Sequence, residues 1–577
     1  MVFMKNTLRF CFCLFLILVT VLGLAACDAG KNDGGSTDSA VTTDAVTEDA
    51  SAAKLVLTRN GAALFRIVYP DGCEQAVFDQ VRVLRGALED ATGVTFVSES
   101  DYIGWDTVRD PEQYEIIVGR TNYEESETLL QGLKQYDHAV AIRGNKIYLT
   151  SYTAEGLFDA VQYFCDTVIA GIVRSEDGSD VFDAFEDRVY HKTYVADGMT
   201  LDGNPLSDYV VVYDHEHPMG KEMAQAVVDS VAVASGLVLP IVSDEIPEQA
   251  CEILVGQTDR AESAAAADVA SLAYKALLQS GKVVIGCHNP EPAAAAADAF
   301  FVNGLPSDGS VALTTGVSCA GSFLTETEYP MAEGSDLRIV SYNVLAEKYG
   351  GENTFARAEG FGALLDVYQP DAVGVQELCD AWQRYVPYHL GEDYKLIGGV
   401  RDDGETNFSA IVYNAARYEL LASGVEAYSR HEDENCRNIA WAVLYDSERD
   451  VKFAFLSTHW DFGKEKKKEN LRRVQADEIT AKIQLLKTEY QCPVIITGDF
   501  NCNDISESYQ YFMSINGMKN ALVDAESYDN GQGERSIDFV MITSEDGVFK
   551  RYGKLSANGL DTLSDHRAVM VDIALAR

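Results

Sequence analysis

The segment PVIITGDFN, residues 493–501, joins a short apolar run to Asp499 and Asn501. A run of this length, bounded by turn-forming residues, is typical of a buried strand. A GDFN tetrapeptide alone would indicate only a turn, because Asp and Asn side chains readily bond their own backbone. Further motifs of the C-terminal region also lie inside or just after apolar β-like runs: SYN with Asn343, QE with Glu377, STHWD with His459 and Asp461, SIDFV with Asp538, and SDH with Asp565 and His566. The series predicts that these polar side chains meet at strand ends.

In this order the motifs, from about residue 337 to residue 577, resemble the endonuclease/exonuclease/phosphatase superfamily. That superfamily includes DNase I-like nucleases, abasic-site endonucleases, sphingomyelinases and inositol polyphosphate 5-phosphatases. The resemblance implies a four-layer α/β/β/α sandwich, in which two packed sheets are covered by helices. It also implies a Mg²⁺-dependent phosphoric ester hydrolase.

Glu377 is the first candidate for a metal ligand, because its neighbours in the sequence are so apolar. Hydrolysis of a phosphoester needs an activated water and neutralisation of the charge on the phosphoryl oxygens. Hard oxygen ligands suit Mg²⁺, with Mn²⁺ and Ca²⁺ as alternatives. Asn343 and Asp565 would complete or flank the metal site, and water would fill the remaining positions.

The resemblance also assigns catalytic roles. Asp499 would orient or deprotonate the attacking water, and Asn501 would hold that water or a phosphoryl oxygen. A buried carboxylate fixes the tautomer of a histidine well, and Asp538 matches the family residue that does so for His566. His459 would donate to a non-bridging oxygen or to the leaving group. Which of the two histidines handles the leaving-group proton stays open.

Two basic features have alternative interpretations. Arg437 lies where the family often has an arginine near the substrate, but a salt bridge within the sandwich explains it equally well. The dense basic run after STHWD begins an amphipathic helix, so it is either a solvated helix face or a contact for substrate phosphate. Its residues are Lys464, Lys466, Lys467, Lys468, Arg472 and Arg473.

The N-terminus has the features of a processed segment. Lys5 and Arg9 precede a short apolar run, which predicts a signal peptide over residues 1–27. Its Leu-Ala-Ala-Cys ending resembles a bacterial lipobox, and this implies lipidation of Cys27; an ordinary signal peptide or membrane anchor is the alternative. Residues 28–53 are rich in Asp, Gly, Ser, Thr and Ala and are expected to form a disordered tether.

A sequence repeat precedes the motif-bearing region. YEIIVGRTNYEES at 114–126 returns as CEILVGQTDRAES at 251–263, which predicts two small duplicated α/β modules. We place them at residues 54–190 and 191–325, ahead of a catalytic domain at 336–577. Their pattern resembles the non-catalytic α/β domain of β-hexosaminidases and α-glucuronidases. The resemblance implies spacers, or modules that contact glycans, without catalytic residues.

The net charge and the cysteine spacing make some substrates and some kinds of site less probable. The formal net charge is -44, which disfavours long polyanions as substrates because binding them depends on neutralising phosphates. Cysteines after residue 27 lack CxxC spacing, so we expect free thiols rather than a zinc site or a disulfide framework.

The sequence thus predicts an α/β multidomain protein outside the cytoplasm, held by lipid at a bacterial cell membrane. Its domain would hydrolyse a phosphodiester of a phospholipid head group, a nucleic acid or a phosphorylated glycan. The alternative is a glycan-binding surface lipoprotein whose phosphoesterase-like domain is inactive.

Overall fold

The structure, a computed structural model, describes residues 54–104, 108–306, 310–349, 353–398, 409–430 and 437–576. The predicted signal peptide, the tether and Cys27 lie outside these residues. Within them, no helix combines the length and the apolar character needed to cross a bilayer. The cysteines of the described part of the chain are free thiols, as the sequence predicts.

The first part of the described chain contains two sheets. The sheet orders are β2-β1-β9-β8 and β10-β6-β7-β5-β3-β4. Its strands are β1 Lys54–Arg59, β2 Ala62–Ala63, β3 Arg66–Tyr69, β4 Ser98–Ser100, β5 Glu115–Val118, β6 His138–Arg143, β7 Lys146–Ser151, β8 Val173–Arg174, β9 Asp180–Asp183 and β10 Arg188–Tyr190. Its helices are α1 Gln75–Thr92, α2 Glu124–Leu130 and α3 Ala154–Tyr163.

The second part also contains two sheets, ordered β12-β11-β18 and β14-β13-β15-β17-β16-β19. Its strands are β11 Thr200–Leu201, β12 Asn204–Pro205, β13 Val210–Tyr213, β14 Ile241–Ser243, β15 Glu252–Val255, β16 Ala273–Gln279, β17 Lys282–Gly286, β18 Ala312–Leu313 and β19 Ser318–Ser322. Its helices are α4 Gly220–Ser235 and α5 Pro290–Asp298.

The two larger sheets have the same plan. Starting from the edge strands β4 and β14, the first four strands of each sheet are parallel to one another. Each of the last two strands is antiparallel to the strand beside it. A buried hydroxyl pair recurs as well, Thr121 with Ser126 and Thr258 with Ser263, at 2.7 Å in both. The duplication and the module boundaries stay predictions, and this plan agrees with them.

The C-terminal part contains two six-stranded sheets, ordered β22-β23-β21-β20-β31-β30 and β24-β25-β26-β27-β29-β28. Its strands are β20 Leu337–Asn343, β21 Ala372–Gln376, β22 Tyr394–Ile397, β23 Ala410–Asn414, β24 Glu419–Ala427, β25 Asn438–Asp446, β26 Val451–His459, β27 Val494–Asp499, β28 Met518–Asn520, β29 Asp538–Thr543, β30 Gly547–Lys554 and β31 Val569–Leu575. Its helices are α6 Thr354–Tyr368, α7 Asp380–Tyr385, α8 Lys466–Tyr490, α9 Glu507–Asn516 and α10 Ala521–Asp524.

These two sheets pack face to face through one apolar core, which includes Ile339 and Ile411 of the first sheet and Phe455 and Ile495 of the second. Helix α6 covers the outer face of the first sheet, and α8 packs against the second. The predicted four-layer α/β/β/α sandwich and the α/β multidomain class are therefore confirmed.

Gly374 on β21 marks a very close approach of the two sheets. A Cβ atom at this position would meet the Oγ1 atom of Thr497 on β27 at less than a contact distance. Glycine in a strand often marks a site where another element comes this near. The approach lies three residues before Glu377 and two before Asp499, so it brings the polar ends of both sheets together.

Helix α6 also meets the second part of the chain through a buried carboxylate. Glu359 accepts a hydrogen bond from the backbone N–H of Leu272 at 2.9 Å and another from the side-chain amide of Asn289. Burial raises the pKa of Glu359 to about 7, against the lowering effect of these two donors. The folded protein therefore holds this proton more tightly than the unfolded chain does.

We expect Glu359→Gln to stabilise the protein at pH 8 and to have little effect at pH 5. The pKa is raised on folding, so the stabilising contribution is complete below the unfolded value of 4.5 and is lost as the pH rises through about 7. The uncharged Gln should add about 1–3 kcal/mol at pH 8. Urea unfolding of both proteins at the two pH values measures the difference, and an equal difference at both would contradict the prediction.

Candidate active site

Three polar side chains lie in one row across the second C-terminal sheet. His459 on β26 is directly opposite Asp499 on β27, and Asp499 is directly opposite Asp538 on β29. Directly opposed residues of neighbouring strands project from the same face of a sheet, about 5 Å apart. Strand register alone therefore places these three groups side by side.

The first sheet contributes Asn343 and Glu377. Asn343 ends β20, beside the end of β21, and Glu377 is the next residue after β21. The amide nitrogen of Asn343 donates to Glu377 Oε1 and to Asp499 Oδ2, at 3.1 Å in both cases. Asn343 thus links the carboxylates of the two sheets.

Glu377 has a strained backbone, with a φ of 64°. For a residue with a Cβ atom, this left-handed conformation costs about 1–2 kcal/mol. The N–H of Ala346 donates to Glu377 Oε2 at 2.9 Å and holds the carboxylate in place. Backbone strain of this kind is often found where a side chain is held in a functional position. This agrees with a ligand role for Glu377.

Asp499 is the centre of the polar cluster. Its Oδ2 lies 3.3 Å from His459 Nε2 and 3.7 Å from His566 Nε2, and its Oδ1 accepts from the N–H of Asn501 at 2.8 Å. Burial alone would raise the pKa of Asp499, but the two histidines and the N–H of Asn501 hold it well below its usual range. An ionised carboxylate with so low a pKa is a weak base, so this environment favours orienting a water over deprotonating it.

Asp538 and His566 form a hydrogen-bonded pair. The Nδ1–H of His566 points at both carboxylate oxygens, at 3.0 and 2.9 Å. Burial would lower the pKa of His566, but the hydrogen bond and charge of Asp538, with the charges of Asp499 and Asp565, raise it to about 10. Burial also raises the pKa of Asp538, against the effect of His566. The pair therefore retains one proton at neutral pH, and Nε2 of His566 is a donor facing Asp499.

Replacing Asp538 by Asn is expected to bring the pKa of His566 from about 10 down towards its ordinary value of 6.5. The change removes the negative charge that stabilises the imidazolium, while burial continues to favour the neutral ring. An NMR pH titration of the His566 ring nitrogens in wild type and variant measures this shift. An unchanged titration would contradict the described pairing.

Residues 340–566 match the model of the Endonuclease/Exonuclease/phosphatase family. The C-terminal domain belongs to this family. No curated protein matches the chain. The solved structures to which the chain is similar include a mannosyl-6-phosphatase of Bacteroides thetaiotaomicron, at 22% identity and a TM-score of 0.36, covering 41% of this chain and 99% of that one.

Two further solved structures show the same extent of similarity. A family protein of Bacteroides vulgatus has 24% identity and a TM-score of 0.36, covering 42% of this chain and 99% of that one. The catalytic domain of human Nocturnin, determined with a bound sulfate, has 18% identity and a TM-score of 0.36, covering 43% of this chain and 96% of that one. We call the C-terminal domain that contains residues 340–566 the EEP domain.

Groups that could hold a cation lie in two places in the EEP domain. The first is Glu377, whose carboxylate oxygens each accept one hydrogen bond and keep further lone pairs for a hard cation such as Mg²⁺. The second is the trio of Asp499, Asp538 and His566, whose ligand atoms lie within 4.8 Å of one another. Against the effect of burial, the carboxylates around the ring raise the pKa of His566 to about 10, so His566 can hold a proton at neutral pH.

The remaining predicted site residues of the EEP domain are placed as follows. The Nδ2 of Asn501 donates to the carbonyl oxygen of Trp460 at 2.8 Å, so this side chain is fixed beside Asp499. Ser564 Oγ donates to the carbonyl oxygen of Asn343 at 2.7 Å and anchors the SDH segment to β20.

Asp565 is exposed, and no described hydrogen bond or ion pair joins it to Glu377. Buried Arg437 immediately precedes β25. The metal role of Asp565 and the substrate role of Arg437 stay predictions.

Three residues of the basic run in the EEP domain form ion pairs that the structure describes, and neither interpretation of the run predicted this pairing. Asp461 of the STHWD motif is fully buried and belongs to this pairing, and Gln475 also donates to it at 2.7 Å. Three pairs fix the start of α8: Lys468 with Asp461 at 3.0 Å, Lys466 with Glu507 at 2.7 Å and Arg472 with Glu469 at 2.7 Å.

Sequence reasoning missed two arginines of the EEP domain. Arg535 and Arg567 line a cavity of about 570 Å³ together with Asp538 and His566. Both lie next to motifs, three residues before Asp538 and one after His566. Their closeness to these motifs in the sequence is the signal that could have identified them.

Proposed function

We propose that the protein is a secreted, lipid-anchored, Mg²⁺-dependent phosphodiesterase. The observation that carries this proposal is the convergence on Asp499 of donors from both sheets of the EEP domain. Asn343, His459 and His566 all direct nitrogen atoms at its carboxylate. This cluster offers ionised oxygens to a cation and a water, and it offers N–H donors to a phosphoryl group.

In this proposal Glu377 holds the cation, with Asn343 and Asp565 beside it. The bound metal would supply charge neutralisation and a more acidic water. Asp499 orients the attacking water through its ionised carboxylate, and the proton of that water passes through Asp499 to the Asp538–His566 pair once the pair has protonated the leaving oxygen. His459 and His566 donate N–H groups to phosphoryl oxygens, and the proton kept by the Asp538–His566 pair is available to the leaving oxygen.

The substrate is proposed to be a phospholipid head group, a nucleic acid or a phosphorylated glycan. Lipid attachment at Cys27 would hold the EEP domain near a membrane, and the net charge of -44 disfavours long nucleic acids. The two N-terminal α/β parts are proposed to act as spacers that can contact glycans.

The deciding experiment is hydrolysis of bis-p-nitrophenyl phosphate, a diester, and p-nitrophenyl phosphate, a monoester, with Mg²⁺ and with EDTA. We expect Mg²⁺-dependent turnover that is faster on the diester. Sphingomyelin and plasmid DNA then test the lipid and nucleic-acid classes. No turnover of any phosphoester by the wild-type protein would refute the enzyme and leave a binding function for the chain.

A further inference from the structure

Two adjoining cavities of the EEP domain border the cluster around Asp499. One cavity, of about 570 Å³, includes Asp538 and His566. The other, of about 590 Å³, includes Asn501. Asn503 and Ile537 line both. Each volume falls within the roughly 300–1,000 Å³ that is usual for ligand sites. A substrate could therefore extend to both sides of a phosphate held at the cluster, as the two substituents of a diester would.

The cavity beside His566 is lined by Arg535 and Arg567, together with the carboxylates of Glu534 and Asp565. Arg535 and Arg567 are exposed, and neither has an ion pair or hydrogen bond with any residue that the structure describes. Lys554, in the same cavity, is instead paired with Glu534 at 2.9 Å. Arg551, on the same strand as Lys554, is likewise paired, with Asp572 at 2.6 Å.

Such free guanidinium groups are notable in a chain with a net charge of -44. They form no ion pair with the residues that the structure describes, and both line the cavity that contains His566. A guanidinium presents a planar set of N–H donors that matches the oxygens of a phosphate, often through two parallel hydrogen bonds. A dianionic phosphate group suits a cavity that is lined by two of them.

We propose that Arg535 and Arg567 bind a second phosphate of the substrate, on the His566 side of the phosphate that is cleaved. This proposal rests on the proposed phosphodiesterase function. It assigns the substrate to the class of diesters that carry an additional phosphate monoester. The other cavity, whose rim includes the exposed Ile505, accommodates the second ester substituent.

A matched pair of substrates tests the proposal. The p-nitrophenyl ester of thymidine 5′-phosphate is compared with the same ester carrying a 3′-phosphate, so that the leaving group is constant. The measured quantity is the ratio of kcat/KM for the two esters. We expect wild type to prefer the 3′-phosphorylated ester by about tenfold, mainly through a lower KM, because charge-assisted hydrogen bonds to phosphate are lost in the other ester.

The variants are Arg535→Gln, Arg567→Gln and the double substitution. Each single change should lower the ratio, and the double change should bring it close to one. Arg59→Gln, at an exposed arginine of β1, is the matched control and should leave the ratio unchanged. Thermal unfolding of every variant checks that it is folded.

The outcomes separate the two proposals. If neither ester nor bis-p-nitrophenyl phosphate is hydrolysed, the phosphodiesterase function is wrong and the phosphate subsite with it. If bis-p-nitrophenyl phosphate is hydrolysed and neither nucleotide ester is, the phosphate subsite alone is wrong. If both esters are hydrolysed and the wild-type ratio is near one, or the double variant keeps the wild-type ratio, the phosphate subsite alone is wrong.

Discussion

Replacing Asp499 by Asn should lower kcat on bis-p-nitrophenyl phosphate by about a thousandfold, a typical loss when a positioned acid–base or electrostatic group is removed. The substitution preserves the size of the side chain and removes its charge. The side-chain amide would then direct N–H groups at Asn343 or His459, which are themselves donors at 3.1 and 3.3 Å. Water orientation and histidine protonation should therefore be lost together.

The matched control for this substitution is Asp504→Asn. Asp504 is in the same loop, three residues after Asn501, and its carboxylate makes no hydrogen bond or ion pair with the described residues. Its kcat should stay close to that of the wild type. An Asp499→Asn enzyme that keeps more than a tenth of the wild-type kcat would contradict the central position of Asp499.

The second large effect is expected at Glu377. Both Glu377→Ala and Glu377→Gly should lower kcat/KM by about a thousandfold or more and abolish heat of Mg²⁺ binding in calorimetric titration, because they remove the carboxylate proposed to hold the cation. The two variants should differ in stability. At a φ of 64°, glycine relieves backbone strain that alanine keeps. We therefore expect the free energy of unfolding of the Gly variant to be about 1 kcal/mol higher than that of the Ala variant.

Glu392→Ala, at an exposed carboxylate of the same domain, controls for the loss of one negative charge. It should bind Mg²⁺ and turn over as the wild type does. Retained Mg²⁺ binding in Glu377→Ala would move the metal site elsewhere, and the trio of Asp499, Asp538 and His566 would be the next candidate.

Much of the fold and of the cluster follows from the sequence. Apolar runs that end in polar motifs predict strands with chemistry at their ends, and the structure brings Asn343, Glu377, His459 and Asp499 together in this way. The family resemblance predicted the pairing of His566 with Asp538, and the structure contains this pair.

What could not be predicted depends on three-dimensional register and on pairing. Nothing in the local sequence shows that His459, Asp499 and Asp538 are directly opposite one another across three strands. The basic run was one candidate for phosphate binding, but some of its residues form ion pairs, and Glu507, the partner of Lys466, is distant in sequence. Conversely, the unpaired state of Arg535 can be seen only once every neighbour is placed.

Gly374 has a consequence for how the EEP domain can vary. Because glycine has only a hydrogen atom as its side chain, the two sheets can approach closely at this position. A methyl group here would clash with Thr497 and push the sheets apart. Such a displacement would tilt one strand end away from the other and lengthen the 3.1 Å bridge from Asn343 to Asp499. Gly374 has no functional group, yet the small size of glycine sets the distance between the polar groups of the two sheets. We therefore expect that only glycine is accepted at this position.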